Sequence, residues 1–223
     1  MSWFSRVTMV AGVRDERQHL RALRVHPYRQ HQALWGMFER PEGTPQPFLF
    51  RQLPDEDADV LRFLVVSQDR PREIPGWHVE CKPYQPRLRV GECYRFGIRL
   101  NPTRTEASAA GRGKRQDYVI SRLHQLRVKP EQRAPERQRV VHEELPEWLR
   151  RRGERHGFDI EACHVERYEV LRTQKGSHAV TLGVAEFGGV LRVADPEKLT
   201  ATLSQGLGHG RSFGLGLLLL KPC

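Results

Sequence analysis

One order of strand and helix signals runs through this chain twice, and it restricts the fold more than any other feature. Trp3 to Val10 is an apolar run that reads as a first strand. After a basic, His-bearing connection, Pro27 opens a helical stretch to about Phe38, proline being favoured at a first helical position. Phe48–Gln52 and Val60–Ser67 carry β-favouring residues on either side of an acidic turn, Pro54 to Asp59, and read as a hairpin that Trp77 to Lys82 extends by a fourth strand. The second half begins near Leu88, with Tyr94 to Leu100 alternating as a half-buried strand does until Asn101 and Pro102 end it. Leu145, Trp148 and Leu149 have the i, i+3, i+4 spacing of a helix reaching about His156. Val165–Arg172 and His178–Arg192 follow as strands, the latter with a turn or bulge expected at Gly188-Gly189. Asp195-Pro196-Glu197 starts a last helix that Gly206 terminates, and Ser212–Lys221 returns as a strand. Each half therefore approximates βαββαβ, which predicts an α+β chain of two tandem ferredoxin-like, RRM-like domains over residues 1–87 and 88–223. The second helix of the first half leaves no visible signal.

Charge narrows the choice of partner. The chain carries 37 Lys and Arg against 27 Asp and Glu, a formal +10, which favours a polyanion through counterion release and steering. Between Arg99 and Arg139 there are 11 Lys and Arg against 4 Asp and Glu, so most of the excess lies in one apolar-poor stretch. That stretch reads as a solvated, partly disordered loop of a kind that often orders on RNA. The longest apolar run, Gly214 to Leu220, is too short to cross a bilayer, and Val7–Val13 lacks the pattern of a secretory signal, so a cytoplasmic protein without membrane attachment is expected. Cys81, Cys93, Cys163 and Cys223 form no CxxC and no metal-ligand spacing, and neither a metal site nor a cofactor is expected.

Two constellations carry candidate chemistry. Tyr28 and His31 stand three apart on the helix that Pro27 opens, with Leu34 and Phe38 continuing its buried side, so a phenol and an imidazole share one edge. Cleaving RNA without metal takes a base for the 2′-hydroxyl proton and an acid for the leaving 5′-oxygen. Histidine suits either, and tyrosine can share one. On helical spacing alone, two surface or packing residues are the commoner explanation of such a pair. The second constellation is Gly206-Leu-Gly208-His209-Gly210-Arg211-Ser212-Phe213-Gly214-Leu-Gly216. Its glycines let backbone N–H groups approach phosphate oxygens. It is neither a P-loop nor a dinucleotide fingerprint, because it follows a helix and has no GK[ST] ending. A tight helix-to-strand return explains the glycines as well.

Gly206-x-Gly208 followed by Gly214-Leu-Gly216 and leucines resembles the glycine-rich signature of the repeat-associated RNA-binding proteins of CRISPR systems. Together with Tyr28-x-x-His31-x-x-Leu34, the Arg99-x-Asn101-Pro102 corner and the Asp195-Pro196-Glu197 helix start, it is similar to the CasE branch. The resemblance implies a metal-independent endoribonuclease that cuts a CRISPR repeat hairpin at the 3′ base of its stem, leaving a 2′,3′-cyclic phosphate and a 5′-hydroxyl. It implies His31 as general acid or base, Tyr28 assisting, and Arg172 as the cation near the scissile phosphate. It also implies RNA contacts from Arg99, Arg104, Arg112, Lys114 and Arg115 in the basic segment, and from Lys175, Gly206, Gly208, His209, Arg211 and Ser212. The product would stay bound as guide RNA beside other Cascade subunits, on a protein that is a monomer when isolated. Residues 11–26 and 116–141 cannot be matched to the family's pattern. The rival is a non-catalytic ferredoxin-like scaffold of a CRISPR ribonucleoprotein, favoured if Tyr28 and His31 prove remote from the glycine loop. An RRM-type single-strand binder needs aromatic residues on its central strands in an RNP pattern, which is not seen.

Overall fold

A computed structural model of the chain describes residues 2–41, 43–54, 56–106 and 113–223. The chain divides into two compact units, one built from 1–87, 173–179 and 200–217, the other from 88–172, 180–199 and 218–223. Contiguous halves meeting between 87 and 88 were expected; the two C-terminal segments 173–179 and 200–217 instead cluster with the first unit.

In the first unit, β1 (Ser2–Val10) pairs antiparallel with both β3 (Val60–Ser67) and β4 (Trp77–Tyr84), while β2 (Phe48–Gln52) lies outside β3. The order β2-β3-β1-β4 is the ferredoxin-like one. Alternation along the strands buries Val7, Met9, Phe50, Leu61, Phe63 and Val65, which form one core with Leu20, Leu23, Leu34 and Met37. The connection expected at 11–26 is in fact α1 (Arg14–Val25). Only Leu20 and Leu23 of that helix are buried, so its apolar stripe is too sparse to stand out among its charges. Glu16 closes its start by accepting the Gly12 and Val13 N–H groups at 2.7 and 3.2 Å, which holds its carboxyl below the usual range. Pro27 then forces a break at His26 and begins α2 (Pro27–Trp35). Residues 68–76 bend back to β4 without a helix, in keeping with the missing signal.

The second unit repeats the arrangement with β5 (Cys93–Leu100), β8 (Phe158–Lys175), β9 (His178–Val193) and β10 (Leu219–Pro222) in the order β10-β5-β9-β8. The basic stretch read as a loop carries far more structure. It contains a two-stranded ribbon, β6 (Thr103–Glu106) with β7 (Lys114–Asp117), then α3 (Tyr118–Gln125), α4 (Arg133–Arg139) and a π-helical turn, Val140–Glu144, leading into α5 (Leu145–His156). Leu145, Trp148 and Leu149 of α5 are buried as their spacing predicts, and Trp148 stacks on Phe187 of β9 at 6.2 Å. No turn interrupts β9 at Gly188-Gly189. Instead β8 crosses so closely that a Cβ at Gly189 would meet the Ala162 carbonyl oxygen at 2.0 Å. Asp195 caps α6 (Pro196–Gln205) by accepting the Glu197 and Lys198 N–H groups at 3.1 Å. The expected terminal strand shrinks to β10, because a 3-10 turn takes Arg211–Phe213 and the leucines up to Leu218 are buried outside the ladder. Among the described residues no helix is long and apolar enough to cross a membrane.

Candidate active site

The first unit contains a cleft of about 600 Å³ lined by Tyr28, His31, Gln32, Trp35, Gln46, Lys175 and Ser212 among others. The helical repeat of α2 sets its wall, since Tyr28, His31 and Trp35 lie one turn apart along one face. The imidazole of His31 is 5.7 Å from the Tyr28 ring, 5.6 Å from the edge-on Trp35 and 5.5 Å from Phe48, measured between centroids. This aromatic enclosure, and secondarily the Lys175 ammonium, push the His31 pKa down to about 4. Its Nδ1 is buried and has no hydrogen-bond partner. At neutral pH the ring is therefore uncharged.

The glycine-rich segment reaches the same cleft. Phe213 packs 6.1 Å from Tyr28, and Ser212 donates from Oγ to Gln46 Oε1 at 3.3 Å. Lys175, at the end of β8, faces the Tyr28 ring with Nζ 5.8 Å from its centroid. The structure thus brings Tyr28, His31, Lys175 and Ser212 together. Arg172 is exposed, on the part of β8 that belongs to the second unit. Gly206 is buried, whereas Gly208, His209 and Arg211 are exposed.

What holds α2 at this angle is Gln30, on the opposite face and only 3% exposed. Its Nε2 donates to the Leu23 carbonyl at 2.9 Å, the Arg24 carbonyl at 3.2 Å and Gln52 Oε1 at 2.6 Å, tying α2 to α1 and β2. Gln30→Leu breaks these ties between α2, α1 and β2 and is expected to cost about 1–3 kcal/mol, readable as a lower urea midpoint at unchanged slope.

In the second unit, Arg104 and Arg115 lie on the β6–β7 ribbon. Arg104 is opposite Gln116 and Arg115 opposite Thr105, so the two arginines extend from opposite faces of the ribbon. Arg115 is exposed, and Arg104 donates to Gln125 Oε1 at 2.6 Å. Lys114 opens β7, and Arg112 lies outside the described residues. Arg99 is half-buried and engaged with Glu169 at 2.9 Å.

Sequence reasoning missed the aromatic wall and Gln46. Trp35 was accessible to it, because it follows His31 by one helical turn; Phe48 arrives through the sheet and Gln46 on the loop just before it, and neither left a local signal.

The CRISPR associated protein family matches the chain over residues 2–222. The chain belongs to that family. Among curated members it is 28% identical to the CRISPR-associated endoribonuclease Cse3 of Thermus thermophilus, across 99% of this chain and 100% of that protein. It is 23% identical to the CRISPR system Cascade subunit CasE of Escherichia coli, across 87% of this chain and 92% of that subunit. A solved structure of Thermus thermophilus Cse3, bound to an RNA representing a pre-cleavage complex, superposes with a TM-score of 0.73 at 25% identity over 99% of both chains. Two ferredoxin-like sheets make up the framework of this chain, and the cleft described above lies in the first of its two units.

Proposed function

We propose that this CRISPR-associated chain is a metal-independent endoribonuclease that binds the repeat hairpin of precursor CRISPR RNA and cuts at the 3′ base of its stem. The observation that carries the reading is the enclosure of a neutral His31 beside Tyr28 and Lys175 in a cleft that the glycine-rich segment also lines. That juxtaposition favours catalysis over the scaffold alternative. The similarity to an endoribonuclease along essentially the whole chain, and to a structure holding RNA before cleavage, supports the same reading.

The chemistry follows from the protonation state. His31 accepts the 2′-hydroxyl proton, the 2′-oxygen forms a bond to phosphorus, and the P–O5′ bond breaks. The 5′-oxygen leaves with a proton from the Tyr28 phenol, giving a 2′,3′-cyclic phosphate and a 5′-hydroxyl. Lys175 offsets charge building on the phosphorane, as Arg172 would if the bound RNA extends toward it. Each proton-transfer role contributes about 10²–10⁴-fold, with in-line positioning supplying more. Arg104, Arg112, Lys114 and Arg115 hold the phosphates of the stem, whose narrow major groove is recognised chiefly by shape. Gly208, His209, Arg211 and Ser212 face the strand that enters the cleft. Arg99, paired with Glu169, contributes only after exchanging that carboxylate for phosphate. Product retained in this way becomes the guide RNA of a cytoplasmic Cascade assembly.

The test is incubation of the host's repeat hairpin with the protein in excess EDTA. One cut at the 3′ base of the stem, with a cyclic phosphate on the upstream fragment, is expected. Intact RNA that is nevertheless bound means a scaffold, and the proposal fails.

A further inference from the structure

Two side chains bracket the basic ribbon of the second unit. Asn101 stands just before β6, and Asp117, the last residue of β7, lies opposite Thr103 in the register. The sheet beneath them has a gap. β5 ends at Leu100, paired with Ala185 of β9, and Gly183 is the next β9 residue whose N–H and C=O point to that edge. With no β5 residue opposite, both groups need other partners. Asn101 Nδ2 donates to the Gly183 carbonyl at 2.7 Å, and the Gly183 N–H donates to the Asp117 carboxylate. The two side chains take the place of the missing ladder residue.

The same carboxylate does more. It caps α3 by accepting the Ile120 N–H at 2.9 Å, and it accepts the Tyr168 hydroxyl of β8 at 3.3 Å. Burial raises its pKa despite the donors that pull it down. No side chain fits at 183: a Cβ there would stand 1.9 Å from Asp117 Oδ2 and 2.7 Å from the Tyr168 hydroxyl. The foot of the ribbon is closed again by Tyr118 N–H donating to the Pro102 carbonyl at 2.9 Å and Trp148 Nε1 donating to the Thr103 carbonyl at 3.1 Å.

We infer that Asn101, Asp117 and Gly183 form a clamp that sets the direction in which the β6–β7 ribbon leaves the sheet, and thereby the affinity of its arginines for duplex phosphates. The inference rests on the hairpin-binding function proposed above. A two-stranded ribbon is marginal by itself in water, so the bonds at its foot, together with the Arg104 bond to Gln125 of α3, decide where Arg104 and Arg115 point. The clamp residues touch no RNA in this scheme; they are positioning residues.

The test uses the full chain and a hairpin RNA of the host's repeat, 2′-deoxy at the scissile nucleotide for binding and all-ribose for cleavage. Asn101→Ala, Asp117→Ala and Gly183→Ala break the clamp from three sides. Each is expected to raise Kd about tenfold and to lower the slope of log affinity against log salt by about 1.4–1.8, equivalent to two phosphate contacts. The cleavage rate at saturating protein stays close to wild type, because the His31 cleft belongs to the first unit. Asn101→Ala combined with Gly183→Ala is expected to cost no more than the larger single change. Wild-type affinity and salt slope in the variants, or a saturating rate that falls in step with affinity, overturns the inference. Asn101→Ser is the mildest probe if the others fold poorly. Amide exchange in that variant reads the clamp without RNA, with faster exchange expected at Arg104, Thr105, Arg115 and Gln116, and unchanged protection counting against it. If the wild type binds no hairpin, the proposed function is wrong, while the exchange result still decides the clamp.

Discussion

His31→Ala is expected to slow cleavage of the repeat hairpin by about 10²–10⁴-fold while the variant still binds the uncleavable RNA, because the change removes a proton acceptor and leaves the cations in place. Fluorescence anisotropy and single-turnover cleavage on the same preparation separate the two. Loss of binding in parallel with loss of rate would make His31 a packing residue. The pH profile carries a sharper sign. In the free protein burial, aided by Lys175, holds the imidazole near pKa 4, so it is already unprotonated well below neutrality. A base in that state gives kcat/KM that rises through about pH 4 and is level toward neutral pH; an acid with the same pKa gives kcat/KM that falls above pH 4. The first shape is expected. Lys175→Ala removes a like charge, so the limb should move to higher pH as the rate drops. A bound phosphate acts in the same direction, so the limb of the saturating rate lies above that of kcat/KM.

Gly216→Val is expected to destabilise the first unit by about 2–4 kcal/mol, from a left-handed backbone forced on a branched residue together with a clash. Gly216 has φ +92°, and a Cβ there would approach the Leu207 carbonyl oxygen at 2.8 Å. Its own carbonyl accepts the Leu207 N–H at 2.9 Å, the bond that closes the glycine-rich segment. Gly206, at φ +79°, is equally confined, since a Cβ there would stand 2.7 Å from Leu49 Cδ2. Differential scanning calorimetry should show a fall of several degrees, and cleavage should decline with it, because Ser212 and Phe213 are carried into the cleft by this loop. A variant with wild-type melting and impaired RNA binding would show instead that the glycine serves ligand approach rather than loop closure.

These two positions show what kinds of information the chain holds locally. The strands of both sheets, the start of α2 at Pro27 and the capping of α6 by Asp195 were legible because each depends on residues a few places apart. Tyr28 and His31 were legible as a pair for the same reason. α1 was not, since two buried leucines in twelve residues give too weak a stripe. The basic stretch was read as a loop although Val119 and Leu123 of α3 have helical spacing and are both buried; the surrounding arginines obscured them.

The amino-acid order by itself determined the twofold ferredoxin-like strand plan, the concentration of positive charge in one segment and the candidate imidazole, because periodicity, caps and charge are properties of neighbours in the chain. Only the tertiary structure decided that this imidazole is neutral, that Lys175 faces Tyr28, and that Asn101 and Asp117 meet on Gly183. Desolvation by Phe48 and Trp35, a charge delivered from a distant strand and a hydrogen-bonding gap where β5 ends all arise between segments far apart in sequence, and no local pattern records them.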